Sequence, residues 1–174
     1  VAFATLFSTE NHQRAKKDTR AFADERKFLG ALLWLAETRD SMFIETLPEA
    51  TQRSLELLGA KKITRPFYLA GGSALALHLE HRISVDLDFF TPKSFSVSDL
   101  GQRLGQVGNF AQEQRKKDTL LGTLDQVKVS FFRYLYPLIN PNENILNTSI
   151  ASVPDIGAMK LEAIGMRGKI GFYL

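Results

Sequence analysis

The sequence predicts an α/β (α+β) domain, a small mixed β-sheet flanked by helices with a helical extension in front. Two observations carry this. Short runs of aliphatic and aromatic residues, such as Phe67-Tyr68-Leu69-Ala70, alternate with longer stretches of helical periodicity. The chain has 174 residues, 44% of them apolar, which supports one core but not two ordinary domains and a linker.

Residues 1–42 read as the helical extension and 43–174 as the core. Within 11–27, acids and bases are interleaved, as on a solvated helix face. Phe22, Leu29, Leu32, Leu33 and Ala36 then recur as one apolar stripe, with Trp34 off it. Thr46-Leu47-Pro48-Glu49 is a helix start, with Thr46 as N-cap and Pro48 in the first turn. Leu55 and Leu58 face inward, and Gly59 suits a left-handed C-terminal position.

Residues 67–70 form a short strand, Gly71-Gly72 break it, and 73–80 are helical. A second strand covers 85–90 and stops at Thr91-Pro92. A helix over 98–107 turns Leu100, Leu104 and Val107 to one side. Strands 119–124 and 127–134 meet at a tight Asp125-Gln126 turn. Residues 137–147, with two prolines and four asparagines, read as a loop. A last helix opens at Pro154-Asp155 and is stopped by Gly168.

Composition excludes several classes. With 24% charged residues, wholesale disorder is excluded. No apolar run approaches the ~20 residues that span a bilayer. Zero cysteines exclude disulfides, thiolate-held metals and thiol catalysis. The apolar opening at 1–7 lacks a basic leader and a cleavage site, so the expected location is the cytoplasm. The net charge of +3 is uneven: 1–60 carry eight Lys/Arg against nine Asp/Glu, so the excess lies in the second half, as suits a phosphate-bearing partner.

The chemistry concentrates in 67–90. In Val85-Asp86-Leu87-Asp88-Phe89, strand alternation sends Val85, Leu87 and Phe89 into a core and Asp86 and Asp88 to the other face. Acids are disfavoured in strands, and two carboxylates side by side repel unless a cation lies between them. Mg²⁺ (or Mn²⁺) suits them, because it takes carboxylates together with substrate phosphates. Just upstream, a strand runs through Gly71-Gly72-Ser73 into a helix, whose free N–H groups and dipole favour phosphate. Ser73 could cap that helix or reach a phosphate oxygen. The bland alternative is a tight turn, an ordinary cap and the solvated face of an edge strand. The hydrophobic surroundings of the pair favour a site for a metal-bound triphosphate.

These residues resemble the AbiEii-type nucleotidyltransferases, toxin-like enzymes of abortive-infection and toxin–antitoxin systems in the DNA polymerase β-like superfamily. The resemblance covers about 43–167. It runs through Phe43-Ile44-Glu45-Thr46-Leu47-Pro48, Leu69-Ala70-Gly71-Gly72-Ser73-Ala74, His81-Arg82-Ile83-Ser84-Val85-Asp86-Leu87-Asp88-Phe89-Phe90 and Asp155-Ile156-Gly157-Ala158-Met159-Lys160. It implies nucleotide transfer from an NTP to an acceptor, with RNA or tRNA a candidate and a cognate antitoxin protein a partner. Asp86 and Asp88 would hold the metal, Gly71, Gly72 and Ser73 the phosphates, and Lys160 would add positive charge. Arg82 and Ser84 could touch phosphates, and His81 could do the same. His78 reads as a packing or surface residue. Arg115-Lys116-Lys117 could meet RNA or guard a hairpin edge.

Two departures stand out. The superfamily usually sets a third carboxylate on a neighbouring strand, but Val127-Lys128-Val129-Ser130 puts Lys128 and Ser130 there, which leaves Asp125 as a candidate base. After Arg167 the family's usual continuation is missing, as in a truncated chain. The competing readings are a glycosyltransferase using Asp-x-Asp and a non-catalytic nucleotide-binding or partner-binding remnant.

Overall fold

The computed structural model describes residues 42–140 and 142–170, with side chains of the last helix described as far as 163. The expectations for 1–41 lie outside the described residues. A 3-10 turn at Ile44–Thr46 leads into helix α1 (Glu49–Ala60). Strand β1 (Tyr68–Ala70) runs directly into α2 (Gly71–Leu79), followed by β2 (Leu87–Thr91) and α3 (Val97–Val107). A meander follows: β3 (Phe110–Lys116), β4 (Thr119–Leu124) and β5 (Val127–Arg133). The hairpin β6 (Glu143–Ile145) and β7 (Thr148–Ile150) then leads to α4 (Val153–Ile170).

The described strands make one seven-stranded sheet in the order β3-β4-β5-β2-β1-β7-β6. β1 pairs antiparallel with β2 and parallel with β7, and β2 pairs parallel with β5. The sheet is mixed, as expected. β2 lies between β1 and β5, so the acidic strand is central and the edge-strand alternative for Asp88 fails.

One face of the sheet is the core. Leu69, Leu87, Phe89, Leu120, Leu124, Val129 and Phe131 are buried with Leu55 and Leu58 of α1 and Leu100 and Leu104 of α3. Phe131 anchors this layer, with its ring 5.0 Å from Phe89 and 5.1 Å from Phe67. Fully burying one such side chain contributes about 1.5–3 kcal/mol. Among the described residues, no helix is long and apolar enough to cross a membrane.

Several local expectations need correction. Thr46 does not cap α1. It belongs to the 3-10 turn, its hydroxyl donates to the Phe43 carbonyl, and Pro48 takes the N-cap position. Gly59 lies inside α1, and Lys62 (φ 56°) supplies the left-handed residue beyond it. α2 begins at Gly71, so the glycines open the helix, and Ala70 caps it. β2 begins at Leu87, which leaves Val85 exposed at 54% rather than inward. The loop expected at 137–147 contains β6, and the basic segment 110–116 is the edge strand β3. Gly168 does not stop α4. The Asp125-Gln126 turn is as expected, with φ of 48° and 72° in a two-residue hairpin.

Candidate active site

Two elements meet at the site because of strand register. Ala70, the last residue of β1, stands opposite Asp88 on β2. The chain then turns through Gly71 at φ +69°, which only glycine adopts freely. A Cβ on Gly71 would lie 2.9 Å from Asp88 Oδ2, so the missing side chain also makes room for the carboxylate. The N–H groups of Gly71, Gly72 and Ser73 begin α2 and have no partner within the helix. An anion there meets them and the positive end of the helix dipole.

The paired acids differ. Asp86 precedes β2 and is exposed, while Asp88 is half-buried within it. Burial holds the Asp88 carboxyl above the usual aspartate range. A hydrogen bond with Ser130 opposes that rise, and the charge of Asp86 adds to it. Ser130 is the register partner of Asp88 on β5 and stands where a third carboxylate would be needed. Asp125 does not replace it. It sits at the β4–β5 turn, five residues along from Ser130 (about 16 Å of strand), and its carboxylate accepts from the Asn109 N–H. Among the described residues, no cluster of three or more His, Cys, Asp or Glu could hold a metal. Two carboxylates, one destabilised by burial, fit a hard cation that completes its shell with water and phosphate oxygens.

The 80–86 loop is pinned from both ends. Glu80, left-handed at φ 51°, ends α2. The Ser84 N–H donates to the Thr46 carbonyl at 3.0 Å, and the Thr51 hydroxyl donates to the Val85 carbonyl at 3.2 Å. Arg82 thereby comes to Gly72: a Cβ on Gly72 would collide with its guanidinium. Ser73 and Ser84 are buried, their hydroxyl oxygens 2.9 Å apart, and the Ser73 hydroxyl also donates to the Asp86 carbonyl. Gly71, Gly72, Ser73, Arg82, Ser84, Asp86 and Asp88 are thus gathered at one place.

Residues 53–170 match the family described as "Nucleotidyl transferase AbiEii toxin, Type IV TA system". The chain belongs to the AbiEii family. It is also 40% identical over 132 residues to an uncharacterized protein of Aquifex aeolicus (strain VF5), a stretch covering 73% of this chain. The chain spans 64% of that relative's length. No solved structure matches it.

In this AbiEii chain Asp155 has a structural task. It is buried, accepts from the Ile139 and Asn140 N–H groups, and exchanges hydrogen bonds with Ser152 in a capping arrangement at the start of α4. Lys160, one and a half turns further on, is exposed, and the structure does not bring it into contact with the carboxylate pair. His78 is structural, with a ring nitrogen 2.9 Å from the Ala151 carbonyl. Sequence reasoning missed an aromatic row beside the acids. Tyr68, Phe90 and Phe132 are register neighbours, with ring centroids 6.1 and 5.3 Å apart, on the face that carries Asp88. Its signal was present: Phe90 is two residues from Asp88, so strand alternation places both on one face.

Proposed function

We propose that this chain is a nucleotidyltransferase, the toxin component of a toxin–antitoxin or abortive-infection system. The observation that carries this reading is Asp88 lying against the Gly71 turn that opens α2. An acceptor hydroxyl attacks the α-phosphorus of an NTP in line. The new O–P bond forms as the bond to the β-phosphate oxygen breaks, and pyrophosphate leaves. Asp86 and Asp88 would hold Mg²⁺ or Mn²⁺, which offsets negative charge on the triphosphate. The N–H groups of Gly71, Gly72 and Ser73 and the Arg82 guanidinium orient the outer phosphates, with Ser84 behind them. Lys160 adds positive charge from α4. RNA is the candidate acceptor, and a cognate antitoxin the candidate partner.

The test is incubation with α-labelled NTPs, Mg²⁺ and total RNA. The expected outcome is labelled RNA with the wild type and a loss of at least ~10²-fold in Asp88→Ala. Wild-type-like labelling by that variant would sink the assignment. Ser130 in the third-carboxylate position favours a second reading, a nucleotide-binding protein without turnover. It predicts that NTP with Mg²⁺ raises the Tm while no acceptor is labelled.

A further inference from the structure

Ser73 is 1% exposed and Ser84 5% exposed, so both hydroxyls lie beneath the surface that would meet a nucleotide. A hydroxyl has one proton, and the Asp86 carbonyl can only accept. The Ser73 hydroxyl is the donor toward the Ser84 oxygen, 2.9 Å away, as well as toward the Asp86 carbonyl, so its one proton is shared between two acceptors. The result is a hub at Ser73, joined both to Ser84 and to the main chain of the first acid. It joins the third residue of α2 to the loop that carries Arg82 and Asp86.

We infer that Ser73 is a positioning residue: its hydroxyl latches the carboxylate loop to the glycine turn, and only its main-chain N–H faces the phosphates. A phosphate oxygen could reach that hydroxyl only by displacing both bonds. The phosphate-side group is instead Arg82, drawn over Gly72 by the loop that Ser73 holds. The catalytic consequence rests on the nucleotidyl-transfer reading, but the latch does not.

Ser73 makes both bonds and Ser84 only one, so the two serines are unequal. Ser73→Ala strips both the Asp86 carbonyl and the buried Ser84 oxygen of their donor. Ser84→Ala removes one acceptor and leaves the Ser73–Asp86 bond standing. The Tm of Ser73→Ala should therefore fall by roughly 5 °C, that of Ser84→Ala by about half as much or less, and the double variant should fall no further than Ser73→Ala. Equal or additive losses would overturn the latch.

The second readout is kinetic, taken well below every Tm. Misplaced carboxylates should lower kcat by ~10-fold or more in Ser73→Ala while the KM for NTP stays within about threefold. A raised KM with kcat preserved would make the hydroxyl a phosphate ligand and overturn the proposal. If the wild type labels no acceptor, the nucleotidyl-transfer reading falls, and the Tm series still decides the latch.

Discussion

Gly71 and Gly72 are adjacent but are glycine for different reasons. Gly71 is left-handed and faces Asp88 Oδ2, so Gly71→Ala meets backbone strain of about 1–2 kcal/mol and displaces the carboxylate. Gly72 has an ordinary φ, and a Cβ on it would crowd only against the end of a long, exposed side chain, Arg82, which can swing aside, with Ser84 Oγ at contact distance, 3.4 Å. Gly72→Ala should therefore unfold within ~0.5 kcal/mol of wild type while raising the KM for NTP. Gly71→Ala should lose both stability and turnover. Denaturant unfolding beside steady-state kinetics separates the two, and equal destabilisation would overturn the distinction. At this scale the sequence was informative about which residues matter and less so about why. Gly-Gly-Ser and Asp-x-Asp are visible in the chain. That Ser73 is buried, that Arg82 lies over Gly72 and that Ser130 touches Asp88 depend on residues 10 to 42 positions apart in the chain.

Elements that bury one regular face were legible: α1, α3, β4 and β5 all lie close to their expected positions. β3 was missed because an edge strand that ends in Arg115 and Lys116, with Lys117 in the turn beyond, shows no apolar alternation. Those exposed basic side chains fit the edge-guarding role weighed for them. β6 was missed because three residues, two of them exposed, form a strand only by pairing with β7. Beyond the β3 tip, Asp118 ties the β3–β4 turn to the segment after β2. Its carboxylate accepts from the Ser94 hydroxyl (2.6 Å) and the Phe95 N–H (3.1 Å) and pairs with Arg133 (3.4 Å). The Ser94 hydrogen bond does most to hold its carboxyl below the ordinary 3.8; burial opposes this, and Phe95 and Arg133 reinforce it. A depressed folded pKa means stability that is present above 3.8 and lost as pH falls through the lower folded value. Asp118→Asn should thus lower the Tm at pH 7, and its gap from wild type should close as the pH drops below that range. A gap unchanged down to pH 2 would show that the charge of Asp118 does not matter.

The whole molecule is closed by a contact between its two halves. The β6–β7 turn, with Leu146 and Asn147 left-handed at φ 50° and 60°, sits on α1. A Cβ on Gly59 would collide with the Leu146 carbonyl oxygen, so Gly59 serves close packing and not the helix end. Thr64 and Thr148 hydrogen-bond nearby at 3.0 Å. Gly59→Ala should destabilise the fold by about 1–3 kcal/mol, read by urea unfolding, because a backbone has to move. A neutral result would mean that the β6–β7 hairpin is not held by α1.

The sequence by itself determined the fold class, the pair of acids and the phosphate-favouring turn. Period-two and helical apolar patterns, and the rarity of acids in strands, are local properties that a chain carries wherever it goes. Tertiary structure decided the strand order that makes β2 central, the placing of Ser130 beside Asp88 and the burial of Ser73. Pairing register and burial belong to segments that meet only when the chain closes on its core.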